Sequence, residues 1–385
     1  MSQLVPLNEV HKQLGAKMVE FGGWMMPLLY NSIVEEHLAT RQAAGLFDIS
    51  HMGEFVVSGA GAADFLNYCL TNDVRRLAVG QGQYTLLCNE RGGVVDDLYV
   101  FRVRPQEFLL VVNAARIDAD WEWLETLVDR CPAMDGFRLR NESADFAAFA
   151  LQGPRSREIL AKVLPGGSIG GALVTEVVQL RKNQWAGFVL EGEPLGVSCT
   201  GYTGEDGFEL LMRPPLAEAL WRRLLDAGRP FGLKPAGLGA RDTLRAEMGY
   251  PLYGHELDEE TTPLEAGLKY FVAFDKGPFV GREVLERQRA AGVSRKAIAF
   301  KMLEKGPPPR SGCPICRVDR PDETLGKVTS GVFSPSLKIG IGMGYVRSDC
   351  ARLGERVGVH IRDRAAPAEI VSKPIYRPPE APCKS

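Results

Sequence analysis

The pattern of the chain changes after about residue 290, and this change restricts the possible folds more than any other feature. Before it, short strand-like runs alternate with amphipathic helical stretches. Residues 296–373 consist instead of short strand-like runs separated by Gly and Pro turns, with almost no helical periodicity. Such a segment is typical of an all-β barrel. We therefore predict an α+β body followed by a C-terminal barrel.

The length of 385 residues exceeds what one hydrophobic core usually organises, so two or three domains are expected. The formal net charge of -2 provides no overall field that would attract nucleic acid or a membrane surface. No apolar run approaches the ~20 residues that span a bilayer. The amino terminus lacks the basic and apolar regions of a secretory signal. These features predict a cytoplasmic protein that binds neither nucleic acid nor membrane.

The cysteines are scattered along the chain, as expected of free thiols in a reducing compartment. Cys313 and Cys316 form the one suggestive pair. A tetrahedral zinc site needs about four ligands, and no second pair or suitably spaced His follows. We interpret the pair as structural and expect no metal site.

Helical periodicity predicts helices over residues 7–18, 32–44, 60–70, 117–131 and 155–163. Residues 94–103 and 108–113 are rich in β-branched and aromatic side chains. They predict a β-hairpin with a turn at 104–107.

Two adjacent carboxylates, Asp96 and Asp97, interrupt the first strand of this hairpin. Successive strand side chains point to opposite faces, so one of the two turns toward whichever side is buried. A buried carboxylate is costly unless it is paired or used in chemistry. The alternative is that one Asp is solvated and the other caps a turn. The predicted turn places residue 97 opposite residue 114, which brings a carboxylate close to Asn113, although a slip of one residue is possible.

The segment 201–210 carries three glycines and a tyrosine, followed by Glu209 between Phe208 and Leu210 at the start of a predicted strand. A carboxylate fixed there can accept two parallel hydrogen bonds from an amidine-like pair of N–H groups. A solvated glutamate on a strand edge is the alternative, and spacing does not decide between them.

Residues 236–247 look like a glycine turn leading into a helix on which Arg241 and Arg245 share a face. They could bind an anion, although a surface ion pair with Asp242 is the commoner outcome. No complete dinucleotide, P-loop or nucleophile-elbow motif occurs, so no nucleotide cofactor is expected. The histidines lack metal-ligand spacing, and we interpret His51 as structural.

Ten motifs in family order resemble the aminomethyltransferases (T-proteins) of the glycine cleavage system. They extend over most of the chain and comprise residues 21–27, 45–52, 92–98, 111–114, 151–154, 201–209, 237–245, 252–254, 329–337 and 373–377. The resemblance implies a three-domain cloverleaf around a central folate. It places a folate-binding region at residues 1–270, whose second α+β domain covers roughly 53–140, and a β-barrel at 271–385.

The resemblance also implies the chemistry. The methylene carbon would pass from the aminomethyl-lipoyl arm of the H-protein to tetrahydrofolate, releasing ammonia and forming 5,10-methylenetetrahydrofolate. Other components of the system would act only indirectly. By position, Asp97 matches the essential carboxylate, and Glu209 matches the residue that binds the 2-amino and N3 hydrogens of the pterin. The remaining implied folate contacts are Met52, Tyr84, Asn113, Tyr202, Arg241, Tyr250 and Arg377.

Two alternatives share this fold. One is a folate-dependent demethylase of a small methylated donor, which would differ around the donor entrance. The other is a non-catalytic folate-binding protein, but the cysteine-bearing motif of such proteins is missing here. Because H-proteins are typically acidic, we expect a local basic surface, with Arg222 and Arg223 among the candidates.

Overall fold

A computed structural model describes residues 2–130, 136–362 and 364–378. Its first part, up to residue 141, alternates strands and helices. The elements are β1 (Gln3–Leu4), α1 (Asn8–Gln13), β2 (Lys17–Phe21), β3 (Trp24–Leu29), α2 (Ile33–Gln42), β4 (Ala44–Asp48), β5 (Gly53–Gly59), α3 (Ala62–Cys69), β6 (Gln81–Cys88), β7 (Val94–Arg104), β8 (Glu107–Val112), α4 (Ile117–Arg130) and β9 (Phe137–Asn141).

The middle of the chain continues this alternation. Its elements are β10 (Ala147–Gln152), α5 (Ser156–Val163), β11 (Gly170–Gly171), β12 (Trp185–Leu190), β13 (Glu193–Ser198), β14 (Gly207–Met212), α6 (Pro214–Gly228), β15 (Leu233–Pro235), α7 (Leu238–Met248) and α8 (Arg282–Ala291). The last part is formed by β16 (Arg295–Met302), β17 (Pro314–Arg317), β18 (Thr324–Ser334), β19 (Ile339–Arg347), β20 (Arg356–Ile361) and β21 (Arg364–Val371).

The strands form four sheets. A five-stranded sheet has the order β6-β7-β8-β5-β9, and a seven-stranded sheet has the order β11-β12-β13-β14-β10-β4-β15. Strands β1, β3 and β2 form a small third sheet. Strands β16 to β21 close into a barrel in the order β16-β19-β18-β17-β20-β21. The predicted α+β body and C-terminal barrel are therefore confirmed.

Each large unit has its own core of buried apolar side chains. Phe65 on α3 and Leu124 on α4 pack on the five-stranded sheet. Trp221 on α6 packs on the seven-stranded sheet together with Phe149 of β10. Phe300 lies in the core of the barrel. Burying each of these side chains contributes about 1.5–3 kcal/mol of stability, which explains why the helices stay packed on the two large sheets.

Helix α7 joins the body to the barrel through buried charges. Arg245 is fully buried and donates hydrogen bonds to Glu256 at 3.0 Å and to Ser330 of β18 at 2.9 Å. Glu247 accepts a hydrogen bond from Arg41 at 2.9 Å and one from Ser334 of β18 at 2.5 Å. The expectation of a surface ion pair at Arg245 is therefore wrong, although its bond to Asp242 is present.

Most predicted helices are confirmed to within a few residues, but the one over 7–18 is wrong. Helix α1 ends at Gln13, and β2 begins at Lys17. Gly15 between them has a φ of 82°, a left-handed conformation that glycine adopts at little cost and that stops a right-handed helix. The last residue of the predicted helix 117–131, Cys131, lies outside the described residues.

The predicted hairpin is confirmed, but its register is wrong by one residue at the site. Arg104 pairs with Glu107 at the turn, as predicted. An irregularity between Arg102 and Arg104 then shifts the pairing, so that Tyr99 pairs with Val111. Such a β-bulge adds one residue to one strand. Extending this register two residues places Asp97 opposite Asn113 rather than opposite residue 114.

None of the cysteines in the described part of the chain forms a disulfide bond. Cys316 is buried in the barrel, and Cys313 is half-buried. Within the described ranges there is no group of His, Cys, Asp or Glu side chains that could hold a metal ion. No helix in the described part of the chain is long and apolar enough to cross a membrane.

Candidate active site

A cavity of about 1930 Å³ lies between the two large sheets, α7 and the barrel and is open to solvent. It is lined by the following residues predicted as site residues: Met52, Tyr84, Asp97, Asn113, Tyr202, Glu209, Arg241 and Tyr250. Arg377 does not line it. That residue is exposed beyond Lys373 and Pro374, which do reach the wall.

Asp97 is held by two donors, one on the neighbouring strand β6 and one directly after the end of β8. The Tyr84 hydroxyl donates to Oδ2 at 2.8 Å, and Nδ2 of Asn113 donates to Oδ1 at 3.0 Å. Asn113 is itself fixed by Asp96, which accepts from its backbone N–H at 3.0 Å and from Nδ2 at 2.8 Å. The carboxylate of Asp97 therefore has a defined orientation in the cavity wall.

Asp96 and Asp97 have different environments. Asp96 is fully buried and does not line the cavity. Burial, together with the negative charge of Asp96, raises the pKa of Asp97 from 3.8 to about 7, against the opposing effect of its hydrogen bonds from Tyr84 and Asn113. A carboxyl group with a pKa near neutrality can exchange a proton at physiological pH. Asp97 is thus the member of the pair that faces the site.

Glu209 lies on an internal strand, because β14 pairs with β10 on one side and β13 on the other. Its neighbours Phe208 and Leu210 are buried in the core, so Glu209 points to the opposite face, where it lines the cavity. The hydroxyl of Thr200 donates to its Oε2 at 2.5 Å. The alternative of a solvated carboxylate on a strand edge is therefore wrong.

The turn before Glu209 is fixed by the buried side chain of Gln152. The amide of Gln152 donates to the carbonyl of Thr200 at 3.0 Å, and its oxygen accepts from the Thr203 hydroxyl at 2.9 Å. Gly201 approaches this amide so closely that a Cβ there would lie 1.9 Å from Oε1 of Gln152. This close approach explains the glycine at position 201 and holds Tyr202 at the cavity wall.

Two tyrosines and an arginine form a stack in the cavity wall near Glu209. The rings of Tyr202 and Tyr250 are stacked, with centroids 5.9 Å apart. The guanidinium of Arg241 lies over the Tyr202 ring at 4.7 Å from its centroid. Gly249, with a φ of 68°, ends α7 and turns the chain so that Tyr250 reaches the cavity. Such a stack offers aromatic surface to a flat conjugated ligand.

His51 lines the same cavity, and the sequence interpretation as a structural residue missed this. It is buried, and its Nδ1 has no hydrogen-bond partner among the described side chains and backbone groups. Burial and the charge of Arg241 lower its pKa to about 3, so the ring is neutral at physiological pH. The sequence signal that could have identified His51 is its position three residues after the end of β4, next to the predicted site residue Met52.

Two family models match the chain. Residues 7–276 match the GCVT N-terminal domain, and residues 295–377 match the glycine cleavage T-protein C-terminal barrel domain. The chain belongs to the glycine cleavage T-protein family. Members of this family with similar sequences include an aminomethyltransferase from Halothermothrix orenii, 46% identical over 96% of this chain and 98% of its own. Another, from Symbiobacterium thermophilum, is 46% identical over 97% of both chains.

A solved T-protein structure supports the same assignment. The glycine cleavage system aminomethyltransferase T from Bartonella henselae is 34% identical, superposes with a TM-score of 0.87, and is covered over 98% of both chains. Family, length and fold therefore agree, and the chain is an aminomethyltransferase of the glycine cleavage system. The resemblance drawn from the ten motifs is confirmed.

Proposed function

We propose that this T-protein transfers the methylene carbon of an aminomethyl group to tetrahydrofolate. The donor is the lipoyl arm of the H-protein, where the carbon is bonded to sulfur and to an amine. Both bonds break, and the carbon forms new bonds to N5 and N10 of the folate. The two protons from these nitrogens leave with ammonia and with the reduced lipoyl thiol. The observation that carries the proposal is that Asp97 and Glu209 face one cavity of about 1930 Å³.

Glu209 would recognise the pterin. Its 2-amino and N3 hydrogens form a donor–donor edge, which a carboxylate can bind with two parallel hydrogen bonds. The hydrogen bond from the Thr200 hydroxyl to one carboxylate oxygen restricts the rotation of the Glu209 side chain. The stack of Tyr202, Tyr250 and Arg241 would then contact the pterin ring. Met52 and Asn113 also line the cavity, and we propose that both contact the folate.

Asp97 would act beside N5. Its negative charge would stabilise the cationic character that develops at N5 and the methylene carbon, or it would accept the N5 proton. Tyr84 and Asn113 hold the carboxylate in place, so little reorganisation is needed during the transfer. Bringing N5 close to the donor carbon would provide much of the remaining rate enhancement. Arg377 is proposed as a folate contact from the family resemblance alone.

We also propose a reducing, cytoplasmic location, which is consistent with the reduced state of the described cysteines.

The direct test of the function is a single-turnover reaction of the protein with aminomethyl-loaded H-protein and tetrahydrofolate. Ammonia and 5,10-methylenetetrahydrofolate should form in equal amounts, and omission of either substrate should abolish both. Transfer from a small methylated amine at a comparable rate, without H-protein, would contradict the proposal.

A further inference from the structure

A buried carboxyl pair, formed by Asp96 on β7 and Asp120 on α4, lies behind Asp97. Both side chains are fully buried. Neither oxygen of Asp120 receives a hydrogen bond from an amide, hydroxyl or guanidinium group of the described residues. Its carboxyl group instead meets the carboxyl group of Asp96. Two ionised carboxylates in contact at a buried site repel each other strongly, so the pair must share one proton.

The hydrogen bonds of Asp96 decide where that proton lies. Both of its oxygens accept hydrogen bonds from Asn113, one from the backbone N–H and one from the side-chain amide. An ionised carboxylate makes such bonds best. Asp120 accepts none of this kind, so its O–H is free to donate to Asp96. The pattern is that of a neutral Asp120 and a negatively charged Asp96.

The surrounding groups fit this arrangement. The guanidinium of Arg116 is the nearby cation, but it donates to the carbonyl of Val95 at 2.9 Å and to Glu259 at 2.8 Å. Its charge is therefore partly balanced already. The hydroxyls of Tyr84 and Tyr253 are neutral, because burial raises the pKa of both. Burial followed by the charge of Asp96 also raises the pKa of Asp120 well above its usual value.

We propose that Asp120 is a positioning residue for the transfer: it is protonated, donates to Asp96, and through Asp96 and Asn113 orients the carboxylate of Asp97. The proposal rests on the proposed function, because it assigns Asp120 a part in that reaction. The link is geometric. The side-chain amide of Asn113 donates to Asp96 at 2.8 Å and to Asp97 at 3.0 Å, so the position of one carboxylate restricts the other.

Asp120→Asn tests the protonation state directly. Its NH₂ group replaces the donating O–H at almost the same volume and without a change of charge. Infrared spectra recorded at a pH above the titration of Asp97 should show the C=O band of a buried carboxylic acid in the wild type. The wild-type-minus-variant difference spectrum should contain this band, whereas any band of Glu54, whose pKa is also raised by burial, cancels. Asp118→Asn is the matched control, because Asp118 is exposed in the same first turn of α4.

The activity measurements add a second readout. In Asp120→Asn, kcat should stay within about threefold of the wild type, and the acid limb of kcat/KM should not move. In Asp120→Leu, which has no donor, Asp96 takes up the proton and no longer repels charge on Asp97. The acid limb should then move to lower pH, and kcat should fall about tenfold or more as Asn113 loses its anchor.

Two results would overturn the inference. If Asp120 were ionised, Asp120→Asn would remove a buried negative charge and move the acid limb to lower pH by about 1 unit. The infrared band would then be the same in both proteins. The spectra are independent of any transferase activity, so failure of the proposed function would leave the band and its loss intact. A protonated Asp120 with an unchanged profile in Asp120→Leu would show a purely structural role and would also contradict the inference.

Discussion

At the residue scale, the proposed transfer depends most on the negative charge of Asp97. The sequence pointed to the pair through two carboxylates in an apolar strand, but it could not tell which of them faces the site. The β-bulge at residues 102–104 sets the strand register that brings Asp97 opposite Asn113 at the cavity wall. A local irregularity of this kind has no clear sequence signal.

Asp97→Asn removes this charge and keeps the volume of the side chain. Turnover should fall by ~10²-fold or more, while the fold and folate affinity are retained, since comparable electrostatic groups contribute this much. Single-turnover kinetics and circular dichroism measure the two effects. Asp96→Asn should lose less, because Asp96 does not line the cavity. The reverse ranking would show that the acting carboxylate has been misassigned.

The raised pKa of Asp97 predicts a pH dependence. The charged form is the one proposed to act, and burial raises its pKa to about 7 in the free enzyme. Activity is therefore present above this value, and kcat/KM should fall as the pH drops through about 7. In Asp96→Asn the neighbouring charge is absent, so the same limb should appear at lower pH. A wild-type profile that is flat down to the ordinary aspartate pKa would argue against this environment.

Glu209→Gln tests the recognition of the pterin. The amide would place one N–H donor against the donor edge of the ring, in place of an oxygen. Tetrahydrofolate binding should weaken by about 2–5 kcal/mol, because a buried donor then lacks an acceptor. Isothermal titration calorimetry measures this change. An unchanged affinity would mean that the pterin binds elsewhere in the cavity.

At the element scale, the turn at 201–207 shows what the sequence could and could not provide. Three glycines and Tyr202 indicated a tightly held backbone, and this is confirmed. The partner that holds it, Gln152, belongs to a different strand, and only the pairing of β10 with β14 brings it close. In the same way, the predicted helix extended to residue 18, whereas α1 ends at Gln13. The spacing of apolar side chains does not reveal the left-handed backbone conformation of Gly15.

Gly201→Ala should disturb this turn. The new methyl group would lie 1.9 Å from Oε1 of Gln152 and displace the amide from Thr200 and Thr203. We expect a loss of about 1–3 kcal/mol in the free energy of unfolding and weaker folate binding, because Tyr202 moves with the turn. Chemical denaturation and calorimetry measure these effects. Gly170→Ala is the control, since a Cβ there meets no atom within 4 Å. Equal stability of the two variants would contradict the role of Gln152.

At the scale of the whole molecule, the barrel helps to form the site. Hydrogen bonds of Arg245 with Ser330 and of Glu247 with Ser334 join α7 to β18, and barrel residues such as Ala299 and Ile370 line the cavity. The sequence predicted the barrel from its turns, but it did not predict these contacts. They link residues that are far apart along the chain, and the sequence favoured a surface ion pair with Asp242 for Arg245.

The surface proposed to contact the H-protein also involves residues from different parts of the molecule. Arg222 and Arg223 were candidates for contact with an acidic H-protein, but each forms an exposed ion pair, with Glu218 and Glu191 respectively. We propose three other basic side chains instead: Lys182, Arg310 and Lys373 are exposed on the cavity wall. None of them forms an ion pair with a carboxylate in the described part of the chain.

Salt should therefore affect the two substrates differently. A carrier that dissociates in every cycle gains from electrostatic steering, which salt screens, whereas the folate contacts lie inside the cavity and are screened less. Raising the ionic strength should increase the KM for H-protein by roughly tenfold and leave that for tetrahydrofolate nearly unchanged. Lys182→Ser should raise the KM for H-protein at low salt and reduce its salt dependence, whereas Arg222→Ser, which removes an already paired charge, should do neither. Equal salt sensitivity of both constants would argue against an electrostatically guided protein donor and for a small donor molecule.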